Sequence, residues 1–190
     1  SVTIENNRYD QAGRNDGSRN VYAAIQLAID AAGDGATVEV ADGTYNGTIN
    51  ITDRSDINIT AVGNGQSLIE PAEMKTWNVG SSPGREVAVR IVDSEKISFD
   101  GLIFDFDRVK DPNKAFAGIL YWNSTGTVQD NTVRNTSTLS GNTEQTSIFQ
   151  APGYSKNDRA PIEVLNNIYV NTGRQGVATH GYVDALVKNN

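Results

Sequence analysis

Cysteine is absent from this chain of 190 residues, and histidine occurs only once, at His180. A chain without cysteine has no disulfide framework, no thiolate metal site and no cysteine nucleophile. Its stability must therefore come from packing. The length fits a single domain with a sizeable core, since about 100–200 residues per domain is usual.

Basic residues are scarce as well, because 16 Lys and Arg face 23 Asp and Glu and give a formal net charge of -7. Nucleic-acid affinity rests on clustered Lys and Arg, and the chain has no basic run. We therefore expect no nucleic-acid partner. An acidic, lysine-poor chain that is rich in Asn, Thr and Gly suits a secreted or cell-surface protein.

Long apolar runs and nucleotide-binding motifs are also missing. No run approaches the ~18 apolar residues of a membrane span, which predicts a protein with no membrane span. No phosphate loop or dinucleotide fingerprint occurs, so nucleotide enzymes and common dehydrogenases are excluded.

An internal repeat is present in the second half of the chain. Each copy has a short apolar strand, a turn, a second strand and a polar corner, and the copies span 87–104, 117–136, 146–172 and 176–190. Equivalent inward positions of the first strands are spaced by 30, 29 and 29 residues; they are Val89, Ile119, Ile148 and Val177. Such a period predicts coils that stack on one another.

The polar corners repeat along with the strands. The second strands align through Phe99, Val128, Val164 and Val187. The corners after the last three of these strands are Asp130-Asn131, Asn166-Asn167 and Asn189-Asn190. An Asn at one place in each coil can stack its amide on the next and satisfy backbone groups at the corner.

The first part of the chain predicts an earlier coil and a cap. Residues 36–62 contain the β-branched runs TVEV, GTINIT and INITAV, separated by turn signals. Residues 21–33 carry apolar side chains at helical spacing and are followed by Gly35. A solenoid must cover its open end, so we interpret this helix as an N-terminal cap on coils over 36–190.

The segment IQLAIDAAGDGATVEVADGTYNGTINI (25–51), together with the corner NNIYVNT (166–172), resembles right-handed parallel β-helix proteins of the pectate-lyase-like superfamily. The resemblance implies an all-β fold, a right-handed parallel β-helix with an N-terminal capping α-helix. It implies a single domain over 1–190 that forms an N-terminal part of a longer solenoid. The other interpretation of the pattern is an amphipathic α/β domain.

Strand alternation separates the outward residues of the repeat from the inward ones. Two outward columns follow: Arg90, Leu120, Phe149 and Ala178 in one, and Val92, Trp122, Ala151 and His180 in the other. We expect these columns to form an exposed strip about 15–20 Å long.

Aromatic rings stack on sugars and cations bind carboxylates, so an acidic polysaccharide is the expected partner. The predicted substrate-binding residues are Trp122 and Phe149, with Tyr154 and Arg159 in the adjacent loop. In the alternative interpretation, loop 151–161 or 105–116 covers the two strand aromatics.

The strand before His180 resembles the catalytic strand of alginate epimerases, which reads Tyr-Gly-Phe-Asp-Pro-His. Residues 175–180 match it only at Gly176 and His180, and Gln175 and Ala178 replace the Tyr and the Asp. Lyases and epimerases of this superfamily abstract the C5 proton of a uronate, which needs a base and a cation that stabilises the enolate. The resemblance therefore implies His180 as base, with Arg90 or Arg174 as the stabilising cation.

Calcium-dependent lyases offer a second enzymatic route, in which the metal bridges substrate and protein carboxylates. Asp105 and Asp107 are the candidate metal ligands, since they lie on one side of a strand. Two solvated carboxylates are the alternative interpretation. Calcium is the one candidate cofactor, and the sequence leaves its presence open.

Two classes of function remain. The first is a lyase or C5-epimerase that acts on a uronate polymer, and the second is a non-catalytic surface, adhesive or polysaccharide-binding module. Residues up to Asn190 contain no pattern for a C-terminal cap. We therefore expect a shortened chain or a last coil that is covered by another copy through self-association.

Overall fold

The computed structural model describes residues 2–5, 8–11, 14–15, 24–71, 75–79, 82–109, 115–136, 146–151, 160–181 and 183–190. One helix, α1 (Ala24–Ala31), lies among short strands. The strands of the first half are β1 (Val2–Glu5), β2 (Arg8–Gln11), β3 (Arg14–Asn15), β4 (Thr37–Val40), β5 (Gly43–Tyr45), β6 (Ile49–Thr52), β7 (Ser55–Ala61), β8 (Ser67–Ile69), β9 (Lys75–Val79) and β10 (Ser82–Val92). The strands of the second half are β11 (Glu95–Asp100), β12 (Ile103–Asp105), β13 (Ala115–Trp122), β14 (Gly126–Gln129), β15 (Thr132–Arg134), β16 (Thr146–Ala151), β17 (Ala160–Leu165), β18 (Ile168–Val170), β19 (Gln175–Thr179) and β20 (Val183–Lys188).

The strands form three sheets that stack as a solenoid. Sheet A has the order β20-β17-β14-β11-β7-β4-β1-β2-β3, sheet B the order β18-β15-β12-β8-β5, and sheet C the order β19-β16-β13-β10-β6. From β4 onward the chain visits A, B and C in turn, and neighbouring coils pair in parallel. Antiparallel pairing is confined, in the described residues, to β1–β2, β2–β3 and β9–β10.

The predicted repeat register is confirmed in sheets A and C. Backbone pairing joins the predicted inward positions of sheet C in one row: Val89, Ile119, Ile148 and Val177. It joins the second strands in sheet A in another row: Phe99, Val128, Val164 and Val187. Six of these side chains are buried in one continuous core, Val177 packs against it, and Val187 is exposed.

The predicted stacking of corner amides is also confirmed, and its geometry is a ladder between coils. At the corner from sheet A to sheet B, Asn131 Oδ1 accepts from Leu102 N at 2.8 Å, and Asn167 Oδ1 accepts from Asn131 N at 3.1 Å. Asn190 Oδ1 accepts from Asn167 N at 3.0 Å. The residue before each rung takes a left-handed φ, as Asn166 does at 56°, a conformation that Asn tolerates.

The other two corners carry shorter ladders of the same kind. Between sheets C and A, Ser94 Oγ accepts from Arg54 N at 3.2 Å, and Ser124 Oγ accepts from Ser94 N at 3.1 Å. Between sheets B and C, Asn171 Nδ2 donates to Asn135 Oδ1 at 2.9 Å. Polar side chains therefore bridge neighbouring coils at all three kinds of corner.

Helix α1 packs on the first coil and contacts β1, β2 and β6. Its buried side chains recur at helical spacing and belong to the core, together with Ala32 just after the helix: Ile25, Ala28 and Ile29. The Arg54 guanidinium closes the end of the helix, since Nη2 donates to Ala32 O and Nη1 donates to Ile29 O at 3.4 Å. Arg54 Nε also donates to Asp34 Oδ1 at 3.0 Å.

Exposed apolar side chains are concentrated on the side of the solenoid that lies away from α1. The three sheets end there on β18, β19 and β20. The exposed large apolar side chains of this end are Ile168 (61%), Val170 (42%), Leu186 (50%) and Val187 (48%). Self-association through this end stays a prediction.

Candidate functional site

A cleft of about 460 Å³ lies on the outer side of sheet C, between α1 and strands β6 and β10. Its polar lining residues are Gln26, Asp30, Thr48, Asn50, Thr52, Arg54 and Arg90. Asn50 and Thr52 point outward because Ile49 and Ile51, which alternate with them, are buried in the core. The strand pattern thus places the polar side chains of β6 toward the cleft, which the apolar residues Ile49, Ile51, Val87 and Ala88 line as well.

Gln26 holds the helix against the sheet. Its Oε1 accepts from Asn50 N at 2.6 Å, and its Nε2 donates to Asn50 O at 2.8 Å. Nε2 also donates to Asp30 Oδ1 at 2.8 Å. Since β6 is the end strand of sheet C, this side chain covers backbone groups that no neighbouring strand pairs.

Arg90 forms the inner wall of the cleft. It pairs in register with Asn50 on one side and with Leu120 on the other. The side chain is half-buried, and desolvation by burial lowers the pKa of its guanidinium. A guanidinium nevertheless stays charged in proteins, and its planar fork matches a carboxylate.

The second cation of the cleft has a structural role. Arg54 binds Asp34 and the last carbonyls of α1, as described above. The pKa of the Asp34 carboxyl is lowered, first by the backbone N–H of Ser55 and then by Arg54. Of the two arginines that line the cleft, Arg54 contacts the end of α1 and Arg90 lies on strand β10 of sheet C.

The outer face of sheet C is less exposed than the sequence predicts. Leu120 is fully buried and Val92 nearly so, in a second apolar cluster with Val87 and Ala117. Trp122 is half-buried and packs against this cluster. The expectation of one continuous exposed strip is thus corrected, because Leu120 and Val92 in the middle of the face are buried.

Of the other predicted substrate-binding residues, the structure describes only the backbone of Phe149. The backbone of Phe149 pairs with Leu120 and Ala178, as the register predicts. Tyr154 and Arg159 lie outside the described residues. Their role in binding stays a prediction.

The three predicted catalytic residues are separated in the fold. His180 is exposed and follows the last residue of β19, whereas Arg174 is exposed and precedes the first. Six residues of extended strand span about 20 Å. Arg90 lies on β10, three strand spacings from β19, which corresponds to about 14 Å. The structure therefore does not bring the base and either cation together.

Asp105 and Asp107, the predicted metal ligands, differ in their surroundings. The Asp105 side chain is 8% exposed, and its Oδ2 accepts from Arg134 Nε at 2.6 Å. Its Oδ1 accepts from Asn135 Nδ2 at 2.8 Å and from Asp107 N at 3.0 Å. Asp107 is exposed. Both Asp105 oxygens therefore already hold protein donors in a corner between sheets B and C.

The part of the chain that the structure describes contains no metal-binding cluster. No group of three or more His, Cys, Asp or Glu there is placed to hold a metal ion. Asp105, with its arginine and asparagine donors, fits a structural ion pair better than a calcium ligand, since calcium prefers several converging oxygens. The role of calcium stays a prediction.

The polar side of the cleft was missed by sequence analysis. Gln26 and Asp30 were assigned only to the cap, and Asn50 only to a β-branched run. One signal for this side of the cleft is present in the sequence. In the strand INIT, Ile49 is the residue that pairs with Val89 in the next coil. Ile49 and Val89 are 40 positions apart, which is longer than the spacing of 29 or 30 residues in the later coils. The repeat therefore does not reveal that the two residues pair.

Comparison with known proteins identified no relative. No family model matches the chain, and no curated protein and no solved structure matches it. Among the described residues, no helix is both long and apolar enough to cross a membrane.

Proposed function

We propose that the protein binds an acidic polysaccharide in the cleft between α1 and sheet C. The observation that carries the proposal is Arg90, a half-buried arginine that faces outward beside Asn50. A guanidinium with reduced access to water binds carboxylates more strongly than a fully solvated one, because the local dielectric constant is lower.

The remaining lining suits a sugar that carries both carboxylate and hydroxyl groups. Asn50 and Thr52 offer amide and hydroxyl groups on the strand side. Asp30, held by Gln26, offers an acceptor for sugar hydroxyls on the helix side. A uronate unit presents a carboxylate to Arg90 and hydroxyls to the other groups, and this combination supports an acidic glycan over an uncharged apolar ligand.

Binding of short oligogalacturonates and oligoalginates, measured by isothermal titration calorimetry, tests the proposal. Arg90→Gln should weaken binding at least about tenfold, because it removes a charge-assisted pair. Arg108→Gln is the matched control, since Arg108 is an exposed arginine paired with Glu70 at 3.2 Å. Equal losses in both variants, or no binding by the wild type, would overturn the proposal.

A second candidate function is lyase or epimerase chemistry at His180. The observation that favours it is the position of His180, exposed and two residues beyond Ala178, which shares a register row with Phe149. The separation of His180 from both predicted arginines supports binding over catalysis. A base contributes about two orders of magnitude or more to proton abstraction.

Ultraviolet absorbance of the unsaturated uronate reports β-elimination on alginate, pectate and chondroitin, with and without calcium. Proton NMR of treated alginate reports epimerisation. His180→Ala should reduce either activity about 100-fold if His180 is the base. No change in absorbance or monomer ratio in the wild type would exclude this second candidate.

We further propose that the solenoid is right-handed and of the pectate-lyase-like type, with α1 as its cap. Crossover connections between parallel strands are right-handed in about 98% of cases, which supports the hand. The three apolar side chains of α1 in the core, with Ala32 just after the helix, support the cap. The composition supports a secreted or cell-surface location for such a protein.

A further inference from the structure

The outer face of sheet A has a groove of about 400 Å³ on the side of the solenoid away from its core. It crosses four neighbouring strands, β4, β7, β11 and β14. Parallel strands lie about 4.8 Å apart, so the groove extends about 15 Å along the solenoid axis. It is separate from the cleft on sheet C, with which it shares no lining residue.

Two register columns of polar side chains form the groove. The first column consists of Thr37, Asn58, Ser98 and Thr127. The second consists of Thr60, Asp100 and Gln129. These residues point outward because the apolar residues that alternate with them, such as Ile57 and Phe99, are buried.

The two columns present hydroxyl, amide and carboxylate groups at the strand spacing. Gln129 Nε2 donates to Asp100 Oδ2 at 2.9 Å, so the second column is ordered between coils. Ordered side chains lose less entropy when they bind a ligand. Rows of hydroxyl and amide side chains, which can both donate and accept, match the hydroxyls of a sugar chain that runs along the axis.

The negative charge of this face indicates which class of sugar it can bind. Asp100 lies in the groove, Glu39 pairs beside Thr60, and Glu163 pairs beside Thr127. Like charges repel, so this face disfavours the uronates proposed for the cleft on sheet C. An uncharged polyol meets no such repulsion.

We propose that the outer face of sheet A is a second carbohydrate-binding surface, which takes a linear neutral polysaccharide. This surface does not depend on the function proposed for the cleft. A protein with both surfaces joins an acidic and a neutral polymer, as a cross-linking module in a mixed polysaccharide matrix does.

Calorimetric titration with linear β-mannan oligosaccharides and with soluble mixed-linkage β-glucan tests the surface. The wild type should bind at least one of these neutral glycans. The double variant Ser98→Ala/Thr127→Val removes two hydroxyls from the first column and should weaken binding roughly tenfold or more. Thr132→Val is the control, since Thr132 is a half-buried threonine of the same coil on sheet B.

Thermal unfolding of each variant distinguishes loss of contacts from loss of folding. A double variant that keeps the melting temperature and loses the glycan supports the surface. The proposal is overturned if neither neutral glycan binds, or if the glycan binds equally well to the double variant and the wild type. Arg90→Gln should leave neutral-glycan binding unchanged, so this proposal and the cleft proposal can fail separately.

Discussion

Asparagine has two different roles at the last two described corners of sheet A, Asn166-Asn167 and Asn189-Asn190. Asn166 and Asn189 take left-handed φ values of 56° and 54°, which turn the chain. The next residues, Asn167 and Asn190, turn their amides toward backbone groups of the neighbouring coil. A backbone that changes direction in the interior leaves N–H and C=O groups unpaired, and the amide supplies both a donor and an acceptor.

Asn167→Ala should lower the free energy of unfolding by about 2–4 kcal/mol, since it leaves buried groups without partners. The groups affected are Asn131 N, which donates to Asn167 Oδ1, and Val128 O, which accepts from Asn167 Nδ2 at 2.8 Å. Urea unfolding measures the change. Asn166→Gly is the control, with an expected change of only a few tenths of a kcal/mol, because Gly accepts the same φ. Equal effects at both positions would contradict the ladder.

Asp105 makes the stability sensitive to acid. Desolvation raises the pKa of its carboxyl, but hydrogen bonds from Asn135, the Asp107 backbone and Arg134 outweigh it, so the pKa is lowered from its ordinary value. A folded-state pKa below the unfolded value means that this stabilisation is present above about pH 4 and is lost as the pH falls through the folded pKa.

Asp105→Asn should therefore reduce the loss of stability between neutral pH and about pH 3. Denaturant unfolding at several pH values, on wild type and variant, measures this difference. Asp107→Asn serves as the control, because that side chain is exposed. An unchanged acid dependence in Asp105→Asn would show that other carboxylates dominate.

Elements of different length were predictable to different degrees. Strands of sheets A and C, such as β11 and β13, are long enough to show alternation, and their register follows from the repeat. Sheet B was missed, because strands such as β15 and β18 have only three residues. Three residues after a corner give no usable periodicity, although their backbone pairing is as regular as elsewhere.

The first residue of β14 allows two coils to approach each other closely. Gly126 pairs with Ile97, and an added Cβ would lie 1.8 Å from Ile97 O. Gly126→Ala should therefore destabilise the protein by about 3 kcal/mol or more, since the backbone of β11 cannot move without disturbing the core. Thermal unfolding measures the change.

Gly33→Ala is the matched control for this substitution. Gly33 follows α1, and an added Cβ would meet nothing within 4 Å. The expected change in stability is within about 0.5 kcal/mol. A similar result for both glycines would mean that strands β11 and β14 have room to separate.

At the scale of the whole molecule, each coil contacts chiefly its neighbours. Stability in such a solenoid is nearly a sum of coil and interface terms, so it can differ along the axis. Phe99 and Val128 of the middle coils are fully buried, whereas Leu186 and Val187 of β20 are about half exposed. The described coils therefore become less well packed toward β20.

Native-state hydrogen exchange should show this gradient. Backbone amides of β11 and β14 should exchange more slowly than those of β20, because the side chains of β20 are less buried. Mass spectrometry of peptides from these strands measures the difference. Uniform protection over all three strands would indicate that the solenoid opens as a single unit.

The candidate site depended on information that a single strand does not contain. Alternation correctly predicts that Arg90 and Trp122 point outward from sheet C. Whether an outward residue is exposed depends on what covers the sheet, as the burial of Leu120 shows. The cleft forms because α1 packs beside β6. The long segment between β6 and β10 hides from the sequence that these two strands are neighbours in sheet C.

The corner ladder connects residues that are 29, 36 and 23 positions apart in successive coils. Its hydrogen bonds keep the same geometry although the intervening chain varies in length. Loop length and coil stacking are therefore decoupled in this architecture. A foreign peptide inserted between two rungs should leave the alignment of the three sheets unchanged, and the cleft on sheet C and the groove on sheet A would keep their spacing.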